Sequence, residues 1–194
     1  MIRKVNPHKT KGVRNLGKVD LSLIKDDIQS IPDEIWDKEN NSKPNKFSEL
    51  YKTKHIVFRF VESMQDCTVY YDTPIWDEWK HRLLPVLEEA VKDYGYENGE
   101  FSRIMLAKLD AGGEVKAHKD GNVAATFPHK IHIPIQTNDK VFFFANPKIH
   151  FFPEGEAFEV NNLGVHYAEN GGEEDRIHLI FEYFNPDHVK ELVK

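Results

Sequence analysis

The chain has 194 residues, with 26 Lys and Arg against 32 Asp and Glu, and a formal net charge of −6. Hydrophobic residues make up 40% and aromatic residues 12%, so the chain can bury the core of a globular domain and is not a disordered polymer. The acidic balance offers no electrostatic footprint for nucleic acid, which argues against enzymes that modify nucleic-acid bases.

The single cysteine, Cys67, excludes an internal disulfide framework and fits a reducing compartment. The N-terminal residues lack the apolar core of a signal peptide, and no run approaches the roughly 18 apolar residues of a membrane span. We therefore expect a cytoplasmic protein without a membrane partner.

In chain order, residues 1–19 are basic and turn-rich and predict an extended arm or an added strand. Asp20 is expected to cap a helix from Leu21 to Ile31, whose apolar residues have helical spacing and which Pro32 ends. The polar stretch from Asp37 to Lys46 is typical of a loop.

Two alternating segments, His55 to Val61 and Cys67 to Tyr71, predict strands of the main sheet. From Pro74 to Val91 the apolar residues recur at helical spacing, which predicts a helix against one face of the sheet. Pro85 should bend or divide that helix. Its two tryptophans are expected in the core rather than at the mouth of a pocket.

The second half of the chain predicts many short strands. Phe101 to Leu109 leads into a glycine turn at 110–113, where positive φ is permitted, and Val115 to His118 follows. Further predicted strands, separated by turn residues, are Ile131 to Thr137, Val141 to Ala145, Ile149 to Phe152, Ala157 to Val160 and Arg176 to Phe184. This pattern favours a mainly β fold with flanking helices, built as a sandwich, jelly roll or barrel.

The candidate catalytic residues lie in this β region. His118 and Asp120 are two residues apart, so on an extended segment both side chains project from one face. His166, from a distant strand folded back alongside, would complete two imidazoles and a carboxylate, the facial set that binds non-haem Fe(II) with open positions. The competing interpretation is that the histidines are ordinary core or surface residues and that Asp120 caps a turn at Gly121.

With Arg176 ten residues after His166, this pattern resembles the iron and cosubstrate signature of the 2-oxoglutarate-dependent Fe(II) oxygenases, which share a double-stranded β-helix fold, the cupin-like jelly roll. The region from about Arg103 to Phe184, including the segment Lys130 to Asn138, is similar to the aspartyl/asparaginyl β-hydroxylase family and its bacterial proline-hydroxylase relatives. Asp120 favours the proline-hydroxylase branch or oxygenases generally, because the animal aspartyl/asparaginyl hydroxylases lack that carboxylate.

The resemblance implies one oxygenase domain over residues 1–194, with an arm, helices and supporting strands in 1–100 and the β-helix core with the site in 101–185. It implies Fe(II), 2-oxoglutarate and O₂ as cofactors and cosubstrates. The implied reaction is hydroxylation of a C–H bond in an amino acid or in a peptide or protein side chain, with release of succinate and CO₂. The sequence leaves the substrate and the oligomeric state open.

Arg176 is the predicted cosubstrate residue, because a buried distal carboxylate must be paired and a guanidinium can donate two charge-assisted hydrogen bonds. The resemblance adds Lys130 and His132, where the family has an Arg-x-His that holds the iron-proximal carboxylate of 2-oxoglutarate. Lysine keeps the charge but loses the fork. The family's serine that supports the distal carboxylate corresponds to Ala107 here, and His178 is expected to orient its neighbours.

The segment Gly121 to Phe127 is predicted to be a mobile substrate lid or an ordinary surface loop. The sequence does not choose among four residues that could contact a substrate carboxylate or amide, which are Arg103, Asn122, Lys130 and Asn162.

Other interpretations remain at this point. A cupin-like metal protein could bind or isomerise a small ligand without oxidation, and it would have no need for Arg176. In a metal-free sandwich, the histidines would be incidental. Arg176 could also be a surface residue that follows the acidic run Glu173 to Asp175, where exposed ion pairs contribute little.

Overall fold

The computed structural model describes residues 5–193, with side chains described as far as Glu191. The strands are β1 (Val13–Lys18), β2 (Thr53–Ser63), β3 (Asp66–Asp72), β4 (Glu100–Leu109), β5 (Glu114–His118), β6 (His129–Gln136), β7 (Val141–Ala145), β8 (Lys148–His150), β9 (Glu156–Val160), β10 (His166–Asn170) and β11 (Arg176–Phe184). The helices are α1 (Lys25–Gln29), α2 (Asp33–Ser42), α3 (Trp76–Val91) and α4 (Pro186–Val193). Among these helices, none is long and apolar enough to cross a bilayer.

The strands form two antiparallel sheets. The larger sheet has the order β1-β9-β6-β11-β4-β2-β3, and the smaller sheet has the order β5-β10-β7-β8. A shared apolar cluster joins them, with Leu109 and Phe158 from the larger sheet packed with Phe143 and Ala168 from the smaller one. The predicted mainly β, jelly-roll architecture with flanking helices is confirmed.

The central strand β11 shows how the larger sheet separates core from site. Ile177, Leu179 and Phe181 belong to the cluster that packs on α3. Because side chains alternate along a strand, the residues that alternate with these three, among them Arg176 and His178, point towards the smaller sheet. Burying each large apolar side chain stabilises the fold by about 1.5–3 kcal/mol. The packing of one face therefore fixes the position of the polar groups on the other.

The N-terminal segments differ in part from the sequence predictions. The expected extended arm is present as β1, which pairs with β9, while residues 1–4 lie outside the described residues. The predicted helix from 21 to 31 is wrong in extent, because only Lys25–Gln29 is helical. Asp20 does not cap it. Its carboxylate accepts the N–H of Ser22 at 2.9 Å, which favours a turn over a longer helix.

The predicted loop from Asp37 to Lys46 is wrong up to Ser42, because these residues belong to α2. Pro32, in extended conformation, precedes the helix, and Asp33 and Glu34 place negative charge in its first turn, where the helix dipole favours it. Trp36 is only 1% exposed and anchors α2 in the core. Burial of Trp36 thus stabilises a helix in a segment whose polar composition predicts a loop.

The remaining elements follow the sequence closely. The two predicted strands in the first half are present in β2 and β3, and both are longer than predicted. The helix α3 runs undivided through Pro85, and its tryptophans Trp76 and Trp79 lie in the core as predicted. Gly112, with a φ of +66°, provides the left-handed residue of the turn between β4 and β5.

Candidate active site

The two candidate histidine ligands lie on paired strands of the smaller sheet. His118 ends β5 and His166 begins β10, and the register places them directly opposite each other. Their ring centroids are 4.3 Å apart. Asp120 completes the group, because one nitrogen from each histidine and one carboxylate oxygen all lie within 4.8 Å of one another. The structure therefore brings together residues that are almost fifty positions apart in the chain.

Each histidine is held in one tautomer. The Nδ1 of His118 donates to the carbonyl of Lys116 at 2.7 Å, and the Nδ1 of His166 donates to the carbonyl of Gly164 at 3.0 Å. The proton on Nδ1 leaves a lone pair on each Nε2. These Nε2 atoms lie 3.8 and 4.0 Å from Oδ1 of Asp120, so the three donor atoms converge.

Asp120 reaches this position by a route that differs from the strand argument. It lies beyond the end of β5, and its backbone N–H donates to the carbonyl of Asn162 at 2.9 Å. Its Oδ2 accepts hydrogen bonds from Lys130 at 2.6 Å and from the Asn162 side chain at 3.2 Å. Side-chain alternation on a strand therefore places His118, whereas contacts from two other segments place the carboxylate.

The protonation states suit metal binding. Burial lowers the pKa of His166 to about 4, although Asp120 opposes the shift. Burial alone would raise the pKa of Asp120, but Lys130 and the two histidines outweigh it and hold that pKa below its usual range. At neutral pH, His166 thus offers a lone pair and Asp120 offers a negative charge.

His118, Asp120 and His166 line a cavity of about 480 Å³ between the sheets. One end is basic and is lined by Arg176, His132 and His55, and His178 contacts Arg176 there; all four are buried. Arg176 Nη1 donates to Nδ1 of His178 at 3.4 Å, and the described residues provide no acidic partner for the guanidinium. The Arg176 Nε and the Nε2 atoms of His132 and His178 are buried without a hydrogen-bond partner in the described structure. Burial lowers the pKa of Arg176 to about 10.

His55 is a cavity residue that the sequence did not single out. It lies on β2 opposite Ala107, which in turn lies opposite His178 on β11. Lys43 Nζ is 3.0 Å from its Nδ1, and an ammonium can only donate, so the ring proton is on Nε2. His55 therefore supplies a neutral N–H donor near Arg176, beside Ala107.

The other end of the cavity holds a buried ion pair between neighbouring strands. Arg103 Nη1 lies 2.6 Å from Oε2 of Glu182, and the two side chains are 7% and 5% exposed. Arg103 Nη2 meets Asn122 Oδ1 at 3.3 Å and the sulfur of Met64 at 3.6 Å. The sequence suggested Arg103 and Asn122 as substrate contacts but gave no reason to select Glu182.

The segment predicted to be a lid is a packed wall of the site. It contains a 3₁₀ turn, Val123–Ala125, with Asn122 accepting the N–H of Ala125 at 3.0 Å. The residues from 124 to 127 are buried, and Asn162 Nδ2 donates to the carbonyl of Ala125 at 3.2 Å. Asn162 thus links this wall to Asp120 by hydrogen bonds. It is not among the residues that line the cavity, so it is not placed to contact a substrate there.

The buried imidazoles make a prediction about acid stability. Burial lowers the pKa values of His55, His132 and His178 well below the usual value, so these rings are neutral in the folded chain. Below a pH of about 6.5 the unfolded chain binds protons that the folded chain does not, so stability falls as pH falls. The free energy of unfolding should fall by about 1.4 kcal/mol per pH unit for each ring, so these three rings together contribute about 4 kcal/mol per pH unit.

Urea denaturation of the metal-free protein between pH 7.5 and 5 would measure this slope. Replacing His178 by glutamine should reduce the slope by about 1.4 kcal/mol per pH unit, with the same change at the exposed His81 as the control. A free energy of unfolding that stays constant down to pH 5 would show that the buried rings accept protons in the folded state.

The chain and its fold are similar to known proteins. A family model described as Aspartyl/Asparaginyl beta-hydroxylase matches residues 24–186. Curated proteins give no match. The structure is similar to an oxidoreductase of the 2OG-Fe(II) oxygenase family from Burkholderia pseudomallei, with a TM-score of 0.53, 11% identity and coverage of 76% of each chain.

Two further solved structures show the same likeness. A prolyl-4-hydroxylase from Pseudomonas putida has a TM-score of 0.53 and 10% identity, over 91% of this chain and 94% of that one. The non-heme alpha ketoglutarate dependent carbocyclase SnoK from nogalamycin biosynthesis has a TM-score of 0.57 and 9% identity, over 94% of this chain and 86% of that one. At these identities the structural matches establish a shared fold.

Proposed function

The chain belongs to the aspartyl/asparaginyl β-hydroxylase family and is a 2-oxoglutarate-dependent dioxygenase, and from this premise we propose that it hydroxylates a C–H bond of an amino acid or of a peptide or protein side chain. In this proposal His118, Asp120 and His166 hold Fe(II), and Arg176, His132 and Lys130 hold 2-oxoglutarate. The observation that carries it is the convergence of the three donor atoms in a cavity whose far end contains a buried guanidinium with no acidic partner among the described residues.

The donor set fits a ferrous ion. Two imidazole nitrogens and one carboxylate oxygen from a single side leave the other coordination positions for ligands from the cavity. The backbone carbonyls that accept from each Nδ1 hold the rings in the metal-binding tautomer, and such supporting bonds are typical of metal ligands. Lys130 and Asn162 give the same support to Asp120.

The basic end of the cavity fits a dicarboxylate. A buried guanidinium without an acidic partner is costly, and a ligand carboxylate would pair it through two charge-assisted hydrogen bonds. His55, with its proton on Nε2, would add a neutral donor to the same carboxylate. Lys130 contacts Asp120 at 2.6 Å and His132 lies two residues further along β6, so these two would meet the carboxylate nearer the metal.

When bound, Fe(II) would activate O₂, the oxidant, so that one oxygen atom enters succinate as 2-oxoglutarate loses CO₂ and the other enters the C–H bond of the substrate. The chain's own residues orient the reactants and exclude water. Lys130 now pairs with Asp120, and in the loaded site it would lie between that carboxylate and the cosubstrate. Phe143 stacks against His166 at 5.8 Å and provides an apolar wall beside the metal ligands.

Succinate formation provides the test of this proposal. The purified protein, supplied with Fe(II), O₂ and 2-oxoglutarate, should form succinate, and one or more of a panel of free amino acids and peptides should stimulate it. Stimulated product should gain one oxygen atom by mass spectrometry. Anaerobic and iron-free reactions are the controls. If no member of the panel is oxidised and succinate stays at the level of these controls, the proposed hydroxylation is wrong.

A further inference from the structure

The buried pair Arg103–Glu182 points to a binding subsite for the two charged groups of a free α-amino acid. We propose that Arg103 receives the α-carboxylate and Glu182 the α-ammonium, so that the substrate is a free amino acid and not an internal residue of a peptide. This inference rests on the proposed function, since it identifies the substrate class of that same cavity.

The pair is placed to hold a substrate beside the metal ligands. Glu182 lies on β11 directly between Arg103 on β4 and Lys130 on β6 in the strand register. Lys130 in turn contacts Asp120 at 2.6 Å. Arg103, Glu182, Lys130 and Asp120 all line the same cavity. A molecule held by the pair would therefore lie beside Lys130, which contacts the candidate iron ligand Asp120.

The charged groups of the pair are incompletely used by the protein. Arg103 donates to Glu182 through Nη1, whereas its Nη2 has only an amide oxygen and a thioether sulfur within reach, and its Nε has no partner in the described structure. Among the described residues, Glu182 accepts hydrogen bonds through Oε2, from Arg103 and, at 3.4 Å, from Ser102. Each member thus retains capacity for an ion of opposite charge.

The surroundings of the pair favour a small ligand with both charges. The side chains of Phe60, Met64, Met105 and Ile180 line the cavity around the pair. In such surroundings a single added charge would remain costly, whereas a zwitterion adds none and satisfies both members of the pair. An internal peptide residue carries neither an α-ammonium nor an α-carboxylate, so it would leave both members as they are.

Isothermal titration calorimetry under anaerobic conditions tests the subsite directly. The twenty free L-amino acids are titrated into the protein loaded with Fe(II) and 2-oxoglutarate, and also into the unloaded protein. At least one amino acid should bind, and its N-acetyl and α-carboxamide derivatives should each bind at least about tenfold more weakly, since each loses a charge-assisted contact. If none of the twenty binds, or if the derivatives bind as tightly as the free amino acid, the inference is overturned.

Two variants separate recognition from a structural role. Arg103→Gln should abolish the discrimination between carboxylate and carboxamide, while Glu182→Gln should abolish the discrimination between ammonium and N-acetyl. A variant that fails to fold would lose binding of every ligand, so it would not show the loss of one discrimination alone. If a variant does not fold, the two derivatives still test the subsite in the unaltered protein. The matched control is Arg59→Gln, which removes a half-buried arginine that pairs with Asp72 and lies outside the cavity.

The same measurements distinguish this inference from the proposed function. If free amino acids bind with the expected discrimination but succinate does not form, the subsite stands and the proposed reaction fails. If peptides are hydroxylated while free amino acids do not bind, the reaction stands and the subsite inference fails.

Discussion

Replacing His166 by alanine is expected to lower the affinity for Fe(II) by more than about 100-fold, because loss of a residue that only supports a metal ligand already costs 10–100-fold. His166 is one of three donors that lie within 4.8 Å of one another, and its Nε2 carries the lone pair. Anaerobic Fe(II) titration followed by calorimetry would measure the change. Uncoupled succinate formation should fall to the level of the iron-free control.

His81→Ala is the matched control, since His81 is an exposed histidine on α3, outside the cavity. It should bind Fe(II) as the unaltered protein does. Equal iron affinity for the His166 variant and the His81 variant would remove His166 from the metal site, and with it the facial arrangement on which the proposed function depends.

The second large effect is expected at the basic end of the cavity. Arg176→Met should weaken 2-oxoglutarate binding by about 100-fold or more, because two charge-assisted hydrogen bonds contribute about 1.5–3 kcal/mol each. The same change should leave the melting temperature unchanged or raise it. The guanidinium has no acidic partner among the described residues, and burial lowers its pKa to about 10, so its charge is a cost to the ligand-free fold.

The two measurements together separate ligand binding from folding. A structural arginine would show the reverse, with a large fall in melting temperature and unchanged affinity for 2-oxoglutarate. Arg59→Met serves as the control because Arg59 has a carboxylate partner in Asp72 and lies outside the cavity. Iron affinity should stay the same in both arginine variants.

Local sequence pattern predicted most of the β core, because alternation and turn residues act within a few positions. The strands β7 and β11 have the predicted bounds, Val141–Ala145 and Arg176–Phe184. The helix α2 was missed because its stability depends on one buried side chain, Trp36, whose burial is a tertiary fact. The strand β10 was predicted only as the strand that carries His166, without bounds, because its five residues are too few and too mixed to show a period.

The candidate site was only partly accessible to sequence reasoning. Spacing and resemblance together selected His118, Asp120, His166 and Arg176, whose types match the chemistry of an iron and cosubstrate site. The pairing of Arg103 with Glu182 spans 79 positions and arises only from the register of β4 with β11. No local pattern signals such a contact. No local pattern distinguishes His55 from the other histidines either, since its position near Arg176 depends on the pairing of three adjacent strands.

The pairing of β5 with β10 has a consequence for how this chain can tolerate change. The strand β5 lies at the margin of its sheet and has β10 as its one partner there, so a single ladder decides which way its side chains face. A slip of one position would turn His118 outwards while the hydrophobic layer beneath α3, built on the other sheet, stayed intact. Inserting or deleting one residue in this short ladder would therefore leave the core of the larger sheet in place but remove His118 from the site and Val115 from the cluster between the sheets.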